Sequence, residues 1–108
     1  MELSQKHCVP CDGGVFPLAR QESGPMMQEV PLWILAGDAL SISRTFSFKN
    51  FAEALAFANK IGAIAEEEGH HPDLEIGWGR ATVRLSTHAI GGLSDNDFIL
   101  AAKIDNIR

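Results

Sequence analysis

Residues 40–69 read LSISRTFSFKNFAEALAFANKIGAIAEEEG, and the period of their apolar positions changes part-way along. Leu40, Ile42, Phe46 and Phe48 alternate with Ser41, Ser43, Thr45 and Ser47. Period two marks a strand with one face against a core. Arg44 interrupts that apolar face, which places it near a sheet rim or an interface. Asn50 then suits an N-cap, with Glu53 three residues on to complete a capping box. The helix that follows carries Phe51, Ala54, Leu55, Phe57, Ala58, Ile61, Ile64 and Ala65, an apolar surface wider than one core-facing stripe needs. It is either deeply buried or engaged with another subunit. Gly69 suits its left-handed C-terminal cap.

Upstream of this stretch, residues 32–36 are apolar and Gly37-Asp38 is a two-residue hairpin signal. Downstream, residues 74–78 and 81–87 read as a second hairpin turning at Gly79-Arg80. Ser94 caps a last helix through Phe98, Leu100, Ala101, Ile104 and Ile107. Gly24-Pro25 suits the first turn of a short helix that Pro31 ends. Residues 1–24 have no clean period and read as an irregular arm, leaving 25–108 as the domain. Hairpins with segregated helices make an α+β fold, one antiparallel sheet with helices over one face.

The chain is 108 residues, enough for one domain with one modest core. Its net charge is -5, which argues against direct nucleic acid binding. No apolar run approaches the roughly 20 residues of a membrane span. Nothing resembles a secretion signal, so a cytoplasmic protein is expected.

Three of the four histidines carry the chemistry. His70 and His71 sit where the long helix gives way to a strand, and His71 precedes Pro72, which favours extended backbone. Adjacent extended residues point in different directions, so the pair can address two sides of one pocket. His88 lies at the end of the last strand, just before Gly91-Gly92. Helix ends and strand ends meet at sheet rims, so all three can share a cleft. Imidazoles give and take protons near neutral pH, which suits a reaction that adds one proton and removes another. Glu66, four residues before His70, is placed to orient that imidazole. The alternative is a solvated His-His pair at a helix end. A zinc site is a weaker reading, because adjacent histidines seldom share one tetrahedral ion. Cys8 and Cys11 form a lone CxxC with neither a second pair nor a preceding strand, and read as reduced thiols in the arm. Asp97, three residues after Ser94, is the acidic member of a capping box. The run Glu66, Glu67 and Glu68 reads as a solvated helix end.

The positions Glu66, His70-His71-Pro72, Trp78, His88 and Asp97, with the segment LSTH, resemble the pterin-4a-carbinolamine dehydratases in identity and spacing. The likeness extends over about residues 30–108; at Gly24-Pro25 the chain departs from the family's acidic helical run. The resemblance implies a four-stranded antiparallel sheet with three helices packed on one face, a homodimer or homotetramer, and neither metal nor bound cofactor. It implies loss of water from a pterin substrate, 4a-hydroxytetrahydropterin, to give quinonoid dihydropterin, which recycles the cofactor of aromatic amino acid hydroxylases. On that resemblance Gly69, Ser86, Thr87 and Ala89 join the three histidines as substrate contacts. His70 is expected to protonate the departing hydroxyl, His88 to assist from the other face, and His71 to position the pterin. Glu66 and Asp97 would support the imidazoles from behind. Two rival classes remain. Relatives in animals and carboxysomes act as partner-binding or assembly factors, and a metal-binding protein would use the histidines or cysteines.

Overall fold

The structure, a computed structural model, describes residues 2–9 and 16–108. Four strands form one antiparallel sheet in the order β1-β2-β4-β3, with β1 at Ile34–Leu35, β2 at Ile42–Ser47, β3 at Asp73–Gly77 and β4 at Arg80–Leu85. Three helices accompany it: α1 (Arg20–Met27), α2 (Phe51–Glu68) and α3 (Asp95–Ile107). The fold is the expected α+β arrangement.

Alternation in β2 and β4 decides which face the helices cover. Ile42 and Phe46 of β2 lie beside Ala81, Val83 and Leu85 of β4, and all five are buried. The other face carries Ser43, Thr45, Ser47, Thr82 and Arg84. Against the apolar face pack Phe57 and Ile61 of α2 and Phe98, Leu100 and Ile104 of α3. The rings of Phe46 and Phe57 are 4.7 Å apart. Truncating either would cost about 3–5 kcal/mol, against a typical domain total of about 5–15 kcal/mol. Stability is therefore concentrated in this layer.

Arg44 lies on the helix-covered face rather than at a rim. Its guanidinium sits 4.1 Å from the Phe46 ring centroid and donates to Asp105 of α3 at 2.6 Å. Trp33 Nε1 donates to the same carboxylate at 2.9 Å. A half-buried strand position thus holds a charge because α3 brings it a counter-charge.

Several local expectations shift. α1 begins at Arg20, not near Gly24-Pro25, because the Glu22 carboxylate accepts from the Ala19 N–H and caps an earlier turn. Pro25 lies inside it. Gly37-Asp38 do turn the chain, but Ala39 follows in the left-handed region at φ 61°, and Ala36 N–H reaches Ser41 C=O. The connection is longer than two residues, so Leu40 leaves the strand and is exposed. In the second hairpin Gly77 pairs with Arg80, so the turn is Trp78-Gly79, where Gly79 supplies the positive φ. The long helix keeps its expected caps: Asn50 Oδ1 accepts from Glu53 N–H, and Gly69 is left-handed at φ 64°. The arm is not wholly irregular. A 3-10 turn at Leu3–Gln5 packs on α3, Leu3 is in the core, and Lys103 donates to Ser4 C=O at 2.9 Å.

The register places the histidines. β3 runs antiparallel to β4 with Asp73 opposite Arg84. Residues just before β3 therefore lie beside residues just after β4, at the rim where α3 begins.

Candidate active site

At that rim is a cleft of about 240 Å³ lined by Val9, Gly69, His70, His71, Ser86, Thr87, His88, Ala89 and Asn96. All seven expected contact positions line it. The volume is below the roughly 300–1,000 Å³ of drug-sized pockets, which favours a small ligand over a dinucleotide.

The three imidazoles have different surroundings. Side-chain exposure is 11% for His70, 60% for His71 and 75% for His88. His70 Nε2 lies 2.6 Å from Asp97 Oδ1, and Asp97 is completely buried. The other Asp97 oxygen accepts from Ser94 N–H at 3.0 Å and from the Thr87 hydroxyl at 2.8 Å. Donor directions follow from one end. Thr87 Oγ1 gives its one proton to Asp97, so it accepts from Ser94 Oγ, which itself accepts from Asn96 N–H. Asp97 is then an acceptor on every side. Facing an acceptor, His70 Nε2 is the donor of this pair. Nδ1 is the ring nitrogen left for chemistry. Asp97 thus caps α3, as expected, and also holds His70.

Glu66 is not the partner of His70. Its carboxylate pairs with His71 Nε2. The left-handed Gly69 turns the chain off the helix axis, so the four-residue spacing no longer puts residue 70 above residue 66. His88 begins a 3-10 turn, His88–Ile90, rather than ending a strand, and its Nε2 is 3.9 Å from Asp73. Trp78 is exposed in the β3–β4 turn and does not line the cleft.

Glu68 departs from the solvated helix end expected for the glutamate run. Its side chain is buried. Burial alone would raise its carboxyl, but Cys8 N–H at 2.8 Å, His7 Nδ1 at 3.0 Å and the Lys103 charge outweigh that and hold it below the usual carboxylate value. Cys8 is the converse case. Burial, then the charges of Glu68 and Asp97, push its thiol up to about 12. At neutral pH Cys8 is a protonated thiol, neither nucleophile nor metal ligand in that form. Cys11 lies outside the described residues, so the CxxC pair is not seen whole. Among the described residues no three His, Cys, Asp or Glu side chains are grouped to hold a metal ion, and no helix is long and apolar enough to cross a membrane.

Two lining residues were not anticipated. Asn96 offered a signal, standing between Ser94 and Asp97 in a first helical turn. Val9, some 60 residues from the nearest histidine of the cleft, offered none.

The chain was compared with known proteins. The sequence model of the family described as pterin 4 alpha carbinolamine dehydratase matches residues 17–107. A protein of Halorhodospira halophila is 53% identical over 105 residues, spanning 97% of this chain and 96% of its own; it carries the name pterin-4-alpha-carbinolamine dehydratase as a provisional assignment. Among solved structures, a transcriptional coactivator/pterin dehydratase from Brucella melitensis superposes with a TM-score of 0.79 at 28% identity, over 84% of this chain and 97% of that one. A pterin dehydratase-like protein identified as a RuBisCO assembly factor in the alpha-carboxysome shares the fold, with a TM-score of 0.59 at 24% identity over 69% of this chain and 87% of that one. With the histidine cleft in place and the match running through both α2 and α3, the chain belongs to the pterin 4 alpha carbinolamine dehydratase family.

Proposed function

We propose that this protein removes water from 4a-hydroxytetrahydropterin, releasing quinonoid dihydropterin, and so returns the cofactor of pterin-dependent aromatic amino acid hydroxylases. One observation carries the reading: a single cleft brings together His70, His71 and His88, and the one imidazole that is largely buried is held by a buried carboxylate. The reaction breaks the C4a–oxygen bond and the N5–hydrogen bond. It needs an acid at the departing hydroxyl and a base at the ring nitrogen. His70, fixed through Nε2, acts as an imidazolium and delivers its second proton from Nδ1 to the hydroxyl, which leaves as water. His88 assists from the other face by accepting the N5 proton, and its exposed side chain can pass that proton on to solvent. His71, steadied by Glu66, positions the pterin along with Gly69, Ser86, Thr87 and Ala89. Each of these steps is proton transfer or binding, so no metal or bound cofactor is called for.

The outer face of α2 leaves Phe51 and Leu55 exposed. This supports a homodimer or homotetramer, working in the cytoplasm beside the hydroxylase.

The test is kinetic. Purified protein should accelerate dehydration above the spontaneous rate. His70→Ala should lower kcat by about 10²–10⁴-fold, less where His88 substitutes, with little change in KM. His71→Ala should raise KM more than it lowers kcat. The His70 and His88 double variant should lose more than either single one. Normal turnover in that double variant, or no acceleration by folded wild-type protein, would refute the reading and favour a partner-binding role. His71 and His88 variants should keep wild-type stability, whereas His70→Ala leaves Asp97 short of a partner and should cost about 1–3 kcal/mol.

A further inference from the structure

The cleft has a wall that comes from the N-terminal arm, before the stretch that the family model matches. The family match begins at residue 17, yet Val9 lines the cleft with the histidines. The arm is held there by two side chains on the elements that build the site. Asn96, in the first turn of α3 beside Asp97, grips the Val9 backbone in both directions: Val9 N–H donates to Oδ1 at 2.9 Å, and Nδ2 donates to the Val9 C=O at 2.6 Å. Glu68, in the last turn of α2 just before His70, accepts from Cys8 N–H and pairs with His7. Cys8 Sγ faces the Asn96 C=O at 3.6 Å. With its N–H and C=O both engaged by Asn96, Val9 offers the cleft an apolar side chain, and that side chain is unusually open for a valine, at 65% exposure. Every other lining side chain except Ala89 is polar or, at Gly69, absent.

We propose that Val9 is a built wall of the active cleft, pinned with its neighbours His7 and Cys8 by Glu68 and Asn96, and that it determines specificity by packing its methyl groups on the carbon-rich part of the substrate's reduced ring. The proposal rests on the dehydratase reading and extends it. Asn96 and Glu68 are positioning residues, acting through Val9 rather than on the reacting atoms. The wall adds binding that is the same in ground and transition states, so its loss should appear in KM rather than kcat.

The experiment has two readouts on the full chain. In the first, dehydration of 4a-hydroxytetrahydropterin is followed in wild type, Val9→Ala, Asn96→Ala and the double variant. Two methyl groups leaving an apolar contact predict a rise in KM of about three- to tenfold for Val9→Ala, with kcat within about twofold. Asn96→Ala should raise KM similarly, and the double variant should be no worse than Asn96→Ala alone, since both remove one contact. In the second, alkylation of Cys8 is measured in a Cys11→Ser background. It should be slow in otherwise wild-type protein and at least tenfold faster once Asn96→Ala or Asn96→Ser, neither of which changes the charge beside the thiol, releases the arm. Asn96→Ser serves where Asn96→Ala fails to fold. An active wild type with an unchanged KM in Val9→Ala overturns the specificity role and leaves the dehydratase reading standing. An inactive wild type with normal Cys8 protection overturns both, while equal alkylation rates in every variant overturn the pinning.

Discussion

Asp97→Asn separates what this carboxylate does for the fold from what it does for His70. Asparagine keeps the shape but has one acceptor oxygen and one amide donor. With its oxygen at the Oδ2 position it retains Ser94 N–H and the Thr87 hydroxyl, at 3.0 and 2.8 Å in the parent. The amide nitrogen then faces His70, where Oδ1 had accepted from Nε2 at 2.6 Å. The ring must turn Nε2 into an acceptor and move its proton to Nδ1. A neutral bond replaces a charge-assisted one in a fully buried place. Taking about 1.5–3 kcal/mol for the charged bond and about 0.5–1.5 kcal/mol for the neutral one, the loss is about 1–2 kcal/mol. At about 4–8 °C per kcal/mol for a domain near this size, Tm should fall by roughly 5–15 °C. The chemical loss should be larger. An imidazolium would now point its Nε2 proton at an amide N–H, so the protonated, proton-giving form of His70 is disfavoured. If His70 is the acid, kcat should fall about 10²-fold or more, with KM within about threefold.

The assay pairs thermal unfolding followed by circular dichroism with steady-state dehydration kinetics on the same preparations. A normal kcat with a lowered Tm would leave Asp97 as a helix cap alone and defeat the assignment of His70. An unchanged Tm would mean that the charge-assisted bond between Asp97 and His70 carries no net stability. Asp97→Ala is the poorer probe, because it strands the Ser94, Thr87 and His70 donors together.

Other expectations concern separate parts of the molecule. Ser23 is fully buried in α1 and its hydroxyl has no hydrogen-bond partner among the described residues, so Ser23→Ala should stabilise the protein by about 1 kcal/mol in urea unfolding. Glu68 is ionised more readily folded than unfolded, so its contribution is complete above the ordinary value of 4.5 and is lost as pH falls through the lower folded value; Glu68→Gln should flatten the acid limb of stability against pH. Activity should survive chelation, and loss on chelation with recovery by zinc would overturn the metal-free mechanism. Light scattering at micromolar protein should give at least twice 11.7 kDa, and a monomer mass would refute the role of the exposed Phe51 and Leu55.

The sequence was most legible where structure is local. The alternation along β2 and the caps at Asn50 and Gly69 depend on neighbours within a few residues, and both formed as read. The site was legible as a place, because Asp73 opposite Arg84 obliges the two histidine-bearing ends to meet. Pairings within it were not. Spacing offered Glu66 to His70, but one left-handed glycine reassigned Glu66 to His71 and left His70 to a carboxylate 27 residues away. The glutamate run looked solvated because three adjacent charges usually are. The arm, arriving from some 60 residues upstream with the Cys8 N–H and the His7 ring, joins Lys103 in making a buried Glu68 tolerable. Side-chain partners chosen by tertiary approach leave no period in the chain.

Fold and chemistry are largely separable in this molecule. Phe46, Phe57 and Phe98 hold the sheet to its helices without touching the cleft, and His71 and His88 stand exposed at the rim. Exposed histidines of that kind can be exchanged at little cost to stability. Asp97 is the exception. It satisfies the first turn of α3 through Ser94 N–H, takes the Thr87 hydroxyl, and fixes the one cleft imidazole that is largely buried. A relative that abandoned the chemistry would be free to lose His71 or His88 first. Loss of His70 without a compensating change at Asp97 would leave a buried carboxylate short of a donor. Changes at residues 70 and 97 should therefore occur together among non-catalytic members, and a folded, stable relative with Asp at 97 and an apolar residue at 70 would contradict the pairing.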